Sequence, residues 1–191
     1  MAVASALLAV AAPDKLHFTG NDEADELLAR DPLALLIGFA LDQQVPVQTA
    51  FSGPLKIKER LGRLEIARRD PAEVEAAFRE TPAVHRFPGS MATRVQDLCA
   101  VVEDEYGGDA SRLWREASDG AELRKRISAL PGFGEMKIKA LSAVLAKRFG
   151  VDVAKELAPS HPTLGDVDSP EALEDYQAKK RAYKASLRAK R

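Results

Sequence analysis

The chain has 191 residues, 46% of them hydrophobic and 30% charged, with a formal net charge of −1. That length suits one domain with tails, and that composition excludes a disordered chain. The single cysteine, Cys99, excludes an intrachain disulfide, a CxxC zinc site and an iron–sulfur cluster on four thiolates.

Met1 to Ala12 are small and apolar and include no Lys or Arg, so they lack the basic start of a secretory signal. They also fall short of the roughly 20 apolar residues that span a bilayer, and no other stretch approaches that length. Met1 to Ala12 are read as an added helical turn or a frayed terminus, within an N-terminal extension of residues 1–20.

From there the pattern is helical nearly throughout, which makes the fold class all-α. Asn21 or Asp22 caps a short helix, Glu23 to Arg30. Asp31-Pro32 opens a second, expected to run to Gln44; it is apolar almost all round and therefore central. Val45-Pro46 is the expected break. A third helix runs from about Val47 to Leu61 with Gly62 as its stop, and Asp70-Pro71 starts a fourth, Ala72 to Phe78. The turn Phe87-Pro88-Gly89-Ser90 leads into a long helix ending at Tyr106 before Gly107-Gly108. Its apolar stripe holds Cys99, read as a small buried hydrophobe in a reducing, cytoplasmic setting. Asp109 to Ala117 and Ala121 to Ala129 read as short helices. A tight hairpin, Leu130-Pro131-Gly132-Phe133-Gly134, joins the second of these to a helix from Glu135 to Phe149. A Pro-broken stretch, Val151 to Asp168, precedes a last helix from about Pro170. Leu16-His17-Phe18 is the one weak strand candidate.

Charge is unevenly placed. Residues 177–191 carry 7 of the 28 basic residues and no acid, leaving 21 basic against 29 acidic in the rest of the chain. A basic tail on an acidic body commonly meets nucleic acid, although Lys and Arg also suit the last turns of a solvated helix.

The hairpin carries the chemistry. Glycine allows positive φ and brings no Cβ into a close approach. The helix after Gly134 begins with unpaired N–H groups at the positive end of its dipole, a ready phosphate site. Phe133 can plug the space between the helices, and Lys137 and Lys139 follow at positions suited to a neighbouring phosphate. Such contacts position a protein on duplex DNA without reading sequence.

Three stretches in order resemble the HhH-GPD superfamily of base-excision DNA glycosylases, the endonuclease-III-like and 3-methyladenine-glycosylase-like enzymes. They are the hairpin region (about 121–149), the stretch Leu33 to Val47, whose helix ends in Gln43-Gln44, and Phe87 to Arg94. The resemblance covers about Asp31 to Gly150. It implies a helical barrel (21–176) with a reduced second lobe, and 177–191 as a basic helix end or tail. It further implies a monomer that binds double-stranded DNA carrying a damaged or abasic site, in the nucleoid-associated cytoplasm, with no membrane, cofactor or metal. Gln44 matches the side chain that fills the gap left by a flipped base, with Gln43 and Asp42 near the pocket, and Arg94 matches the basic residue that begins the long barrel helix.

The chain departs from the family in two places. Met136 stands where bifunctional members carry a Schiff-base lysine, and Lys137 is one residue, about 100°, further round the helix. The resemblance therefore implies a monofunctional glycosylase. The family's catalytic aspartate would fall near Ala154, where none stands. Asp168, at the mouth of the last helix, is the first candidate for that role and could equally be only an N-cap; Asp166 is the second. His161, His85 and Arg86 could reach substrate or phosphate. The alternative is a non-catalytic binder of abasic or distorted DNA, and a third reading is an interaction domain that keeps only the fold.

Overall fold

The computed structural model of the chain describes residues 12–189. Within them every regular element is helical: α1 (Asp22–Arg30), α2 (Pro32–Leu41), α3 (Val47–Leu61), α4 (Pro71–Arg79), α5 (Pro88–Tyr106), α6 (Arg112–Arg115), α7 (Gly120–Ser128), α8 (Glu135–Arg148) and α9 (Pro170–Ala189). Met1 to Ala11, most of the proposed N-terminal extension, lie outside the described residues, as do Lys190 and Arg191.

Caps set most of the helix starts. Asn21 accepts from the Ala24 N–H, Asp31 from those of Leu33 and Ala34, Asp70 from Ala72 and Asp119 from Glu122. Helix α2 is the axis of the core: all nine residues from Leu33 to Leu41 are buried. It packs closely on α3 because two glycines remove side chains at the crossing. A Cβ on Gly38 would stand 2.5 Å from the Phe51 ring, and one on Gly53 would collide with Leu41. Phe51 meets Phe39 and Phe18 edge-on, with centroids 5.0 and 5.1 Å apart. Gly62 ends α3 at φ +79°, and Gly107 ends α5 at φ +62°. Cys99 is buried, donates to the Leu64 carbonyl at 3.3 Å, and is pushed up to about 12 by burial, so its thiol stays protonated.

Four expectations change. Helix α2 stops at Leu41, three residues before Gln44, where the Lys137 ammonium takes the Ala40 carbonyl that a continuing helix would offer to the Gln44 N–H. The helix expected over 109–117 contracts to Arg112–Arg115 between turns. Leu16-His17-Phe18 forms no strand; the segment is held by the buried Asp25 instead, whose backbone carbonyl accepts the Leu16 N–H and whose carboxylate accepts those of Phe18 and Thr19, all at 3.0 Å. The Pro-broken stretch contains two 3-10 helices, Asp152–Ala154 and Leu164–Asp166. The second lies so close to α8 that a Cβ on Gly165 would stand 2.5 Å from the Ala143 carbonyl oxygen.

Helix α9 runs unbroken across the boundary expected at 176/177. Leu173 roots it in the core, and a reciprocal amide pair, Gln48 with Gln177 at 2.7 and 3.3 Å, ties it to α3. From Ala178 to Ala189 every residue is exposed. No helix among the described residues is long and apolar enough to cross a membrane.

Candidate nucleic-acid interface

The hairpin between α7 and α8 turns at Gly132, whose φ is +79°. Phe133 closes the turn with an N–H···O bond to Leu130 at 3.2 Å and is buried between the helices. Gly134 precedes α8 with no capping side chain, and open space lies where its Cβ would be. The first N–H of α8 bonded within the helix is that of Ile138, to Gly134 at 3.0 Å. The amides of Glu135, Met136 and Lys137 therefore point out of the helix mouth without intrahelical acceptors. Met136 beside them is 79% exposed.

Two distant segments close around this mouth. Arg94, two turns into α5, lies over Gly132, where a Cβ would stand 2.8 Å from the Arg94 Cδ; its guanidinium donates to the Gln43 side-chain oxygen. Gly132 is thus needed twice, for its backbone angle and for the space Arg94 fills. The Asp42–Gln44 turn is held from beneath by His85. The Phe87 N–H donates to His85 Nδ1 at 3.0 Å, so Nε2 carries the proton and donates to the Gln43 carbonyl at 3.0 Å. Burial pushes the His85 imidazole below its usual range against the pull of the Gln43 and Leu41 carbonyls, and Arg86 and Arg94 add to the lowering. Gln44 then stands exposed at φ +57°, the one non-glycine residue with positive φ among the described residues. Strained backbone of this kind gathers at working sites. Phe87, 42% exposed with the Arg86 guanidinium 4.9 Å from its ring centroid, lies beyond His85.

Lys137 does not extend toward solvent as expected. Its ammonium donates to the Ala40 carbonyl at 3.1 Å, capping the C-terminus of α2, and stands 5.7 Å from the Phe133 ring centroid. Burial, with Arg94 nearby, pushes it down to about 8, against the opposing pull of Asp42. Lys139 pairs with Glu135 at 3.5 Å, and Glu135 also takes both guanidinium arms of Arg124.

Of the expected site residues, Gln43, Gln44, Arg94, Gly132, Phe133, Gly134 and Lys137 come together here, and Lys139 sits on the next turn of α8. Asp166 and Asp168 lie on the loop before α9, and Asp166 lines a small pocket with Lys147, Thr163, Tyr176 and Lys179. Asp166 forms a reciprocal cap with Thr163 and an ion pair with Lys147 at 2.6 Å. Burial would raise its carboxyl, but the Lys147 ammonium and the Thr163 N–H hold it below the usual range. Lys147 is ten residues along α8 from Lys137, about 15 Å of helix. Asp168 is exposed and does not cap α9; Ser169 does, accepting from the Ala172 N–H at 3.1 Å. His161 is exposed on the same loop, with a ring nitrogen 3.2 Å from the Pro162 carbonyl oxygen.

The acid the geometry does bring to the face is Asp42. It follows the last residue of α2 and is half-buried. Lys137, Lys180 and Lys184 stand within electrostatic reach, and Tyr176 of α9 feels its charge in turn. The sequence signal was a charged residue ending a wholly apolar helix. An apolar groove of about 500 Å³ between Leu28, Leu35, Trp114 and Phe149 lies toward the other end of α2 and shares none of these residues. Among the described residues no group of three or more His, Cys, Asp or Glu side chains is placed to hold a metal ion. The chain matches no family model, and no curated protein and no solved structure matches it.

Proposed function

We propose that this chain binds duplex DNA through the α7–α8 helix-hairpin-helix and is a monofunctional DNA glycosylase of base-excision repair, of the HhH-GPD kind that its three motifs resemble. The observation that carries this reading is the convergence of the hairpin mouth, Arg94 and the strained Gln43-Gln44 turn on one face, although they lie up to 94 residues apart in the chain. The free amides of α8 grip one backbone phosphate. Gln44, raised on its left-handed turn, enters the stack where a base has been extruded. Tyr176, Lys180, Lys184 and Arg188 recur every fourth residue along one side of α9, and the Lys180 ammonium stands 5.7 Å from the Tyr176 ring centroid. That basic stripe supplies the wall opposite the hairpin. Met136 in place of a lysine favours hydrolysis without a lyase step.

A second reading, a non-catalytic binder of abasic or distorted DNA, is favoured by the engagement of Asp166 with Lys147 and Thr163 and by the exposure of Asp168. A single-turnover assay separates the two. Short duplexes each carry one modified base (uracil, thymine opposite guanine, hypoxanthine, 8-oxoguanine, 3-methyladenine or ethenoadenine) and are treated with alkali after reaction. Strand breaks only after alkali are expected. Breaks without alkali would sink the monofunctional assignment, and abasic DNA bound tightly with no product from any base would favour the binder.

A further inference from the structure

We propose that Asp42 is the catalytic carboxylate of this face, set against the sugar of an extruded nucleotide; the inference rests on the glycosylase reading above. It arises from how carboxylates are used elsewhere in the molecule. The other two inward-lying Asp residues among the described residues have donors: Asp25 takes two backbone N–H groups and Asp31 two. Asp42 has no hydrogen-bond or ion-pair partner among the described residues. It stands at the negative end of the α2 dipole, where a carboxylate is least welcome. Burial raises its carboxyl above the usual range, even though Lys180, Lys137 and Lys184 pull it down. A half-dry, unpartnered acid opposes folding, and nothing in the packing of α2 requires one.

The reaction requires such a group. When the C1′–N bond breaks, its electron pair leaves with the base and positive charge builds on C1′ and the ring oxygen. A carboxylate facing that charge in a place poorly reached by water stabilises it more than one in bulk solvent. As the water oxygen bonds C1′, its proton passes to Asp42, while the departing base takes its proton from solvent. The surrounding cations have another task. Lys180 and Lys184 lie on the exposed run of α9 and turn to the flanking phosphates. Lys137 stays on the Ala40 carbonyl and holds the end of α2 that carries Asp42. The arrangement joins an anion for the sugar to cations for its phosphates, with Gln43 and Gln44 next in the chain to occupy the gap.

The test uses the full chain and two 20-base-pair duplexes that differ at one position, a cationic pyrrolidine abasic-site analogue or a neutral tetrahydrofuran one. The wild type is expected to prefer the cationic analogue about tenfold, the effect of an opposite charge at close range. Asp42→Asn is expected to keep its affinity for the neutral duplex and lose the preference. It is also expected to melt a few degrees higher, because an opposed charge has been removed. Preference retained in Asp42→Asn overturns the proposal, as does a wild type that binds both duplexes equally, and in either case the DNA-binding reading stands. Failure of the wild type to bind either duplex overturns that reading and the role of Asp42 together.

Discussion

At its N-terminal end α2 begins with Asp31, whose carboxylate accepts the Leu33 N–H at 2.9 Å and the Ala34 N–H at 3.4 Å. At its C-terminal end the same helix is followed by Asp42, with no donor among the described residues and an adverse dipole. Burial raises both carboxyls, but only Asp31 is compensated by backbone N–H groups. One end of α2 is built as folding alone would build it. The other is held in an arrangement that folding disfavours, by His85, Arg94 and Lys137 reaching in from α8 and from the region around the α5 start. Strain, unpaired charge and exposed apolar side chains collect at that second end, where the hairpin also lies. This separation, rather than any one residue, is what the proposed DNA interface rests on.

The largest way to break the contrast is through glycine. Gly132 and Gly62 share φ +79°, so an alanine at either is expected to cost about 1–2 kcal/mol from backbone strain alone. Gly62 has nothing within 4 Å of a Cβ, whereas at Gly132 the Cβ meets Arg94 at 2.8 Å. Gly62→Ala is therefore expected to lower the melting temperature and leave duplex affinity alone. Gly132→Ala should lower both, with affinity falling about tenfold or more as Arg94 and Gln43 are displaced. Titration of both variants against one duplex checks this, and equal affinities would remove the hairpin from the interface.

The next test exchanges the two ends of α2. Asp31→Ala removes a cap from a buried helix and is expected to destabilise by about 1 kcal/mol in urea unfolding. That loss is opposite in sign to the stabilisation expected of Asp42→Asn. If both variants destabilise, Asp42 is a structural residue and the contrast fails.

How much of this was legible in the sequence differs between the same two ends. The Asp31-Pro32 and Asp70-Pro71 starts and the Gly62 stop were readable, because a cap and its helix are neighbours in the chain. So were the three stretches that meet at the hairpin, through their order and residue types. The end of α2 was not, because Val45-Pro46 offers a local break while the real one is tertiary: Lys137 takes the Ala40 carbonyl across 97 residues, and His85 takes the Gln43 carbonyl across 42. The isolation of Asp42 was equally hidden, since it depends on which side chains α8 and α9 bring near and which they point elsewhere. Asp168 drew notice by standing before a helix start and Asp166 as the acid beside it, and neither fact gives information on distance from the hairpin.

Acid sharpens the comparison from beneath the turn. The lowered folded pKa of His85 means the unfolded chain binds its proton first. The stability His85 contributes is present in full above about 6.5, and is lost as the pH falls from there through the lowered folded value. Asp42 has the opposite sign: its raised carboxyl favours the folded state at low pH, and that contribution is lost as the pH rises through the folded value. Protonating His85 also puts a hydrogen on Nδ1, where the Phe87 N–H now donates, so the Gln43 turn loosens. Melting curves between pH 5 and 8 should show a fall on the acid side that His85→Gln lacks. If the two profiles run parallel, His85 is not the group responsible.

The smallest expected effect lies at the hairpin mouth. Glu135 is the first residue of α8, where its charge suits the helix dipole but opposes a phosphate at the amides beside it. Arg124 takes it with two bonds, at 2.5 and 2.9 Å, and Lys139 approaches at 3.5 Å, all on exposed surface. Exposed pairs of this kind contribute roughly 0–1 kcal/mol, so Glu135→Gln should hardly move the melting temperature. Its effect on DNA should be the reverse of the Gly132 variant. With the carboxylate gone, Arg124 and Lys139 are released toward the backbone, and affinity should rise about two- to threefold in dilute salt. The gain should shrink as salt screens the contact, and the slope of log affinity against log salt should steepen by about one phosphate contact. An unchanged slope would mean that the mouth of α8 does not meet the backbone, and that α9 alone carries the charge-dependent part of binding.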